Sequence, residues 1–298
     1  MVGDIMRSEQ QMMDLIINTA KNDDRIRGII MGGSRANPNV KRDFFQDYDI
    51  IYIVKDIEPF IADHSWINIF GEIMILQMPD SMGMPQDIKG GSFTYLMQFT
   101  DGNRIDLGLV PVEMADKRIK EESLSIILLD KDKSMGQIPP ASDSDFITKR
   151  PTEGLFNDCC NEFWWICPYV AKGIWRDELP YAMFMYDNHA RNMLMQMTRW
   201  YIGIHTDFSI SSGKYGKYFK EYLEPELWDM YVKTYSDSNY ENLWSALFIA
   251  GDLFRIMGKE VSEHFGFEYP YGEDERVTAH LKYVKDLPRD AKEMYEKL

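Results

Sequence analysis

The stretch Ile29–Val54, IIMGGSRANPNVKRDFFQDYDIIYIV, joins two apolar runs through a polar segment. A Gly-Gly-Ser turn at residues 32–34 ends the first run, and Asp47 and Asp49 open the second. Strand side chains alternate between faces, so both carboxylates lie on one face, about 7 Å apart along the backbone. Such close carboxylates repel each other unless a cation lies between them. Mg²⁺ resolves this conflict, and it commonly takes one or two carboxylates together with phosphate oxygens.

Two neighbouring features favour a site that handles phosphate. Gly33 permits a tight turn directly after a strand, and free amides together with the Ser34 hydroxyl can hold phosphate oxygens. Asp106 interrupts the apolar pattern NRIDLGLV, on the face opposite Ile105 and Leu107, and is the candidate third carboxylate. Taken singly, each feature also fits an ordinary turn or a solvated strand residue. The turn is not a Walker motif, because no Gly-Lys-Ser/Thr follows it at the required spacing.

The first half of the chain alternates strand and helix patterns and predicts an α+β fold. An Asp-Gly pair at residues 101–102 separates two alternating runs and predicts a β-hairpin. The predicted helices are Arg7–Asn22, Ile57–Phe70 and Val112–Glu122. The other predicted strands are Ile26–Met31, Asp47–Val54, Glu72–Pro79 and Leu124–Leu129.

The second half predicts helices with aromatic and methionine-rich faces. Residues 136–151 are polar and contain prolines, which is typical of a linker. We therefore predict an N-terminal mixed sheet with helices over residues 1–135, and a C-terminal helical bundle over residues 152–298. Pro168 is expected to kink or interrupt the first long helix of the bundle.

Composition limits the classes of partner. The net charge is −15, from 33 basic and 48 acidic residues, which disfavours nucleic acid as a partner. The absence of a long apolar run argues against a membrane span, and the absence of an export signal predicts a cytoplasmic location. Cys159, Cys160 and Cys167 lack metal-site spacing and are expected to be reduced core thiols. The sequence does not indicate an oligomeric state.

The segment GGSRANPNVKRDFFQDYDIIY is similar to the nucleotidyltransferase signature of the polymerase-β superfamily. Gly33, Ser34, Asp47, Asp49 and Asp106 occupy the positions of that signature in order. More narrowly, the chain resembles the aminoglycoside 6-adenylyltransferase family, also called the streptomycin adenylyltransferase family. The segments that carry this resemblance span both halves: GSRANPN, FQDYDI, HARNMLMQMTRWYIGI, GKYGKYFKEYL and YENLWSALF.

The resemblance implies that residues 1–135 form the catalytic nucleotidyltransferase domain, and that residues 152–298 bind nucleotide and substrate. It implies transfer of AMP from ATP to the 6-hydroxyl of streptomycin, with release of pyrophosphate and resistance to the antibiotic. Asp47, Asp49 and Asp106 are expected to hold two Mg²⁺ ions, with ATP as co-substrate. Whether Asp106 is a metal ligand, a general base or both stays open. Gly33 and Ser34 are expected to position the β- and γ-phosphates.

Lys214, Lys217 and Lys220 are spaced by three residues, which predicts that they share one helix face. Lys214 and Lys217 match the family pattern and are the candidate ligands for nucleotide phosphates. A solvated lysine face is the alternative. A cationic acceptor also requires acidic residues, and the candidates on the helical half are Asp158, Glu162, Asp177, Glu178 and Asp187.

Two other functions remain open from the sequence. The same chemistry would serve another acceptor, such as a different aminoglycoside, a lincosamide or a protein hydroxyl. Alternatively, the chain is a non-catalytic nucleotide-binding protein on the same fold. An acid-lined cavity would favour a polycationic acceptor, whereas an apolar one would favour a lincosamide.

Overall fold

The computed structural model describes residues 5–83 and 91–295. The chain divides into two compact units, Met1–Asp145 and Phe146–Leu298. The division falls within the segment 136–151 that was predicted as a linker. The assignment of residues 1–135 and 152–298 as functional domains stays a prediction, and residues 1–4, 84–90 and 296–298 of these ranges lie outside the described part.

The described residues of the first unit form a six-stranded mixed sheet, in which β2 and β5 are parallel and the other neighbouring pairs are antiparallel. The strands are β1 (Ile26–Met31), β2 (Tyr48–Val54), β3 (Ile73–Gln77), β4 (Phe93–Phe99), β5 (Arg104–Pro111) and β6 (Ile126–Asp130), in the spatial order β3-β4-β5-β2-β1-β6. The helices of this unit are α1 (Glu9–Asn22), α2 (Gly33–Ala36), α3 (Glu58–Ile61) and α4 (Ala115–Glu121). The predicted fold class is confirmed.

Both faces of the sheet carry apolar side chains, and β2 shows why. Tyr48, Ile50 and Tyr52 point into a core shared with α1, whereas Ile53 packs into a separate cluster with Val110 on the other side. This alternation is the one predicted from the strand period. Polar side chains on β2 are therefore confined to its beginning.

The predicted helix Ile57–Phe70 is wrong in its middle. The segment forms the short helix α3 and then a 3₁₀ helix, His64–Phe70, which begins where the Asp63 side chain accepts a hydrogen bond from the Ser65 amide at 2.9 Å. An aspartate side chain that accepts a hydrogen bond from the backbone two residues ahead favours the beginning of a new helix over continuation of the preceding one. The hairpin at residues 101–102 is confirmed, with Gly102 at a φ of 88° between β4 and β5.

The second unit is helical throughout its described elements. These are α5 (Glu153–Trp175), α6 (Leu179–Met185), α7 (Arg191–His205), α8 (Phe219–Tyr222), α9 (Pro225–Lys233), α10 (Tyr240–Phe265) and α11 (Tyr271–Asp286). A π-helical turn, Tyr186–Ala190, lies between α6 and α7. None of the helices in the described ranges has the length and apolar character that crossing a bilayer requires.

Pro168 does not interrupt α5, contrary to that part of the prediction. Proline removes one backbone donor, yet the residues around it, including Phe163, Cys167 and Val170, are almost fully buried in the helical core. Cys167 also donates its thiol hydrogen to the Phe163 carbonyl at 3.2 Å. Packing thus outweighs the local penalty. The predicted core thiols are confirmed: all three cysteines are free and buried.

Candidate active site

Parallel pairing of β2 with β5 brings the predicted carboxylates together. In the register of these strands Asp49 lies opposite Asp106, and Asp47 immediately precedes β2. One carboxylate oxygen from each of Asp47, Asp49 and Asp106 lies within 4.8 Å of the other two. The chain therefore gathers residues 57 positions apart in sequence, Asp49 and Asp106, into one acidic cluster.

The glycine turn is built against this cluster. The Gly32 amide donates to the Asp49 carbonyl at 2.8 Å. Gly33 has a φ of 62°, and a Cβ atom placed on it would lie 1.8 Å from Oδ2 and 2.6 Å from Cγ of Asp49. Both the left-handed backbone and the approaching carboxylate require glycine. Ser34 follows directly and is half-buried.

Arg35 connects the turn to the segment that carries Asp47. It is buried, with 4% of its surface exposed, and it donates to the carbonyls of Gln46 at 2.7 Å and Asp47 at 3.0 Å. Its guanidinium also lies 3.8 Å from the centre of the Tyr48 ring. Sequence reasoning missed Arg35, because an arginine in a polar segment is usually solvated. It positions Asp47 through the backbone.

Burial and like charge change the proton affinity of Asp49. Its pKa is raised to about 6, mainly by burial and then by the charges of Asp47 and Asp106, with a smaller effect from Glu122. Arg104 opposes this rise. Uncompensated negative charge is thus concentrated at one point of the first unit.

Arg104 is the second residue that the sequence analysis missed. Its Nε and terminal nitrogen donate to Oδ1 and Oδ2 of Asp106, each at 2.7 Å. Its Nε also lies 3.8 Å from Oδ2 of Asp47. The available signal was the two-residue spacing of Arg104 and Asp106, which places both on one face of β5.

This cluster fits a divalent cation. It offers three carboxylates, and hard cations such as Mg²⁺ prefer oxygen ligands. Burial and neighbouring charge disfavour the ionised form of one of these carboxylates, Asp49, and a bound cation would stabilise that form. The predicted ligands are therefore suitably placed, and their role as ligands stays a prediction.

The second unit contains a cavity of about 740 Å³. Asp158 and Glu162 of α5 line it together with Trp200, and its cationic lining residues are Lys149, Arg150, Arg199 and Lys214. Asp158 and Glu162 are one helical turn apart. Within the described residues neither has an ion-pair partner inside 4.0 Å. The cavity is thus acidic on one wall and basic elsewhere.

The lysines predicted to share a helix face do not do so. Lys214 begins a 3₁₀ turn in which Tyr215 has a φ of 58°, and the chain enters a new helix, α8, only at Phe219. The glycines at positions 213 and 216, both with positive φ, produce this irregular path. Lys214 lines the cavity, whereas the Lys217 ammonium lies 5.0 Å from the ring centre of Tyr218.

A family model described as streptomycin adenylyltransferase matches residues 6–284. The chain belongs to the streptomycin adenylyltransferase family. Family members with high similarity include the aminoglycoside 6-adenylyltransferase of Bacillus subtilis (strain 168), 40% identical over 95% of this chain and 98% of that protein. The aminoglycoside 6-adenylyltransferase of Campylobacter jejuni is 39% identical over 93% of this chain and 95% of that protein.

A solved structure of a Bacillus subtilis aminoglycoside 6-adenyltransferase is similar over 95% of this chain and 100% of its own, at 36% identity and a TM-score of 0.47. Membership in the streptomycin adenylyltransferase family rests on the sequence matches. It confirms the predicted enzyme class, a nucleotidyltransferase.

Proposed function

We propose that this protein transfers AMP from ATP to the 6-hydroxyl of streptomycin, releases pyrophosphate and thereby confers resistance to the antibiotic. The observation that carries the proposal is the cluster of Asp47, Asp49 and Asp106, held against a glycine turn in a chain of this family. A nucleotidyltransferase needs counter-charge for the triphosphate and activation of a weakly acidic hydroxyl.

In this proposal the three carboxylates hold Mg²⁺, as two ions. When bound, the metal supplies charge neutralisation for the phosphates and a lower pKa for the attacking hydroxyl. Asp49 is mostly ionised at pH 7, because its pKa of about 6 lies below that value. The Gly33 amide and the Ser34 hydroxyl are the proposed contacts of the β- and γ-phosphates, because backbone amides and a serine hydroxyl in such a turn can hold phosphate oxygens.

The cavity of the second unit supports a polycationic acceptor. Asp158 and Glu162 present two carboxylates on one wall, and within the described residues neither forms an ion pair. Guanidinium or ammonium groups of an aminoglycoside pair with such carboxylates, whereas a lincosamide, which is not a polycation, does not require two of them. Lys214, on the same cavity, is the proposed ligand for nucleotide phosphate. For Lys217 the proposal that it binds nucleotide phosphate rests on the family pattern alone.

A non-catalytic nucleotide-binding protein is the weaker alternative. Such a protein gains nothing from three repelling carboxylates, one of which has its pKa raised by burial. The predictions of a cytoplasmic location and of no nucleic-acid partner belong to the same proposal.

The test is adenylyl transfer by the purified protein with ATP and Mg²⁺. Streptomycin, kanamycin and a lincosamide serve as acceptors, pyrophosphate release gives the rate, and mass spectrometry identifies the adenylylated product. We expect release that requires streptomycin, Mg²⁺ and Asp49. The matched control is Asp24→Asn, which alters an exposed aspartate of the same unit. Release with another acceptor alone would retain the chemistry and discard streptomycin, whereas no release with any acceptor would favour the non-catalytic protein.

A further inference from the structure

Both oxygens of the Asp106 carboxylate are already engaged by one side chain. Arg104 reaches them with two parallel hydrogen bonds of 2.7 Å, and its Nε also lies 3.8 Å from the Asp47 carboxylate. The Arg104 side chain is 45% exposed, and Asp106 is 20% exposed. This paired geometry is the strongest arrangement between a guanidinium and a carboxylate.

The position of Arg104 conflicts with metal ligation by Asp106. A divalent cation needs at least one oxygen lone pair of that carboxylate in the direction of Asp47 and Asp49. The guanidinium occupies the same side, as its contact with Asp47 shows. Two positive groups cannot share these oxygens without strong repulsion.

We propose that Arg104 is a positioning residue that holds Asp106 in the cation-free protein and is displaced when a divalent cation binds the carboxylate cluster. This inference rests on the proposed metal site. Arg104 then acts in two ways. It keeps the Asp106 carboxylate in place by neutralising it, and it weakens the binding of free cations by competing for the same oxygens.

The exposure of Arg104 makes displacement feasible. A guanidinium that is nearly half in water regains hydration when it leaves the carboxylate, so breaking the pair costs far less than it would in a core. Within the described residues the side-chain hydrogen bonds of Arg104 both go to Asp106, so its departure breaks no hydrogen bond to another group. Arg35, by contrast, is buried and bonds backbone carbonyls, and it is not displaced.

The chain offers a matched pair as a control. Arg27 of β1 donates two hydrogen bonds to the Asp132 carboxylate, from Nε at 2.8 Å and from a terminal nitrogen. This arginine lies at the end of β1 remote from the glycine turn. The substitution Arg27→Gln therefore breaks an equivalent pair without touching the acidic cluster.

The measurement is Mn²⁺ binding to the full chain without nucleotide, followed by the electron paramagnetic resonance signal of free Mn²⁺. We expect Arg104→Gln to tighten Mn²⁺ binding about fivefold, the scale of a partly exposed ion pair. Arg104→Lys keeps a charge but loses the paired geometry, and we expect an intermediate affinity. Arg27→Gln is expected to leave the affinity unchanged. Thermal melting confirms that each variant is folded.

A double-variant cycle makes the inference specific to Asp106. In the Asp106→Asn background Mn²⁺ binding is weaker, and Arg104→Gln should no longer tighten it, because the contested oxygens are gone. Unchanged or weaker Mn²⁺ binding by Arg104→Gln alone would overturn the inference.

Failure of the proposed function would look different. If no acceptor is adenylylated but Arg104→Gln still binds Mn²⁺ more tightly, the inference stands and the function fails. If streptomycin is adenylylated and Mn²⁺ affinity does not respond to Arg104, the function stands and the inference fails.

Discussion

Replacing Asp49 by asparagine should stabilise the cation-free protein while it abolishes adenylyl transfer. The pKa of Asp49 is raised from 3.8 to about 6 in the folded chain, first by burial and then by Asp47 and Asp106. A shift of about two pKa units corresponds to at most about 3 kcal/mol of lost stability when the group is ionised. Asparagine is nearly isosteric and removes the charge, so it recovers part or all of that amount.

The sign and the pH window follow from the same shift. The folded state binds the Asp49 proton more tightly than the unfolded state does, so stability falls as pH rises from about 4 to 6, and the full cost is present at pH 7. By that relation the cost is about 3 kcal/mol at pH 7 and about half as much at pH 5. For a unit of this size, we expect Asp49→Asn to melt about 6–12 °C higher at pH 7.

The assay is thermal unfolding of wild type, Asp49→Asn and the exposed control Asp24→Asn at several pH values between 5 and 8, with EDTA present. The stabilisation should shrink toward pH 5 for Asp49→Asn and be absent for the control. In a parallel series without EDTA, Mg²⁺ should raise the melting temperature of the wild type and leave that of Asp49→Asn unchanged. A variant that melts below the wild type, or by a pH-independent difference, would refute the account of Asp49 as a buried, repelled carboxylate.

Three further outcomes are expected. Gly33→Ala should lower the free energy of unfolding by about 1–3 kcal/mol and remove most of the activity, because the new methyl group meets the Asp49 carboxylate. The control is Gly102→Ala, at a glycine that has a positive φ but open space around it. Urea unfolding should show that this control loses only the free energy of the backbone strain. Arg35→Met should cost about 2–3 kcal/mol, because it leaves the buried Gln46 carbonyl unpaired, and a fall in melting temperature at pH 7 checks this. Glu162→Gln should raise the KM for streptomycin about tenfold and leave the KM for ATP unchanged, whereas an equal rise in both would place Glu162 outside the acceptor site.

The strand that carries the aspartates could be predicted well, because the residue pattern that specifies it lies within a few consecutive residues. Alternation of polar and apolar residues along β2 determines which side chains face the core, and the structure confirms this for Tyr48, Ile50 and Tyr52. The same period places Asp47 and Asp49 together on one face. The position of Asp106 opposite Asp49 depends on the pairing of two parallel strands, which no local pattern specifies.

The two arginines beside the acidic cluster differ in how far the sequence could predict them. Arg35 lies in a polar segment and only folding buries it, whereas Arg104 and Asp106 share one face of β5 by their two-residue spacing, which is a local pattern. The failure at Pro168 has the opposite cause. There the local rule predicted a kink or an interruption, and the helix is not interrupted, because burial of its surrounding faces outweighs the local penalty.

The charge balance of the cluster links the stability of the protein to its proposed chemistry. Three carboxylates face one guanidinium, so the cation-free state keeps an excess of negative charge beside a partly buried aspartate. Binding of a cation releases the free energy of that repulsion, which therefore contributes to metal affinity rather than to folding. Arg104 reduces both the repulsion in the cation-free state and the metal affinity, because it neutralises part of the negative charge before binding and must move for binding to occur. A cluster without Arg104 would bind metal more tightly but would hold Asp106 less firmly when empty.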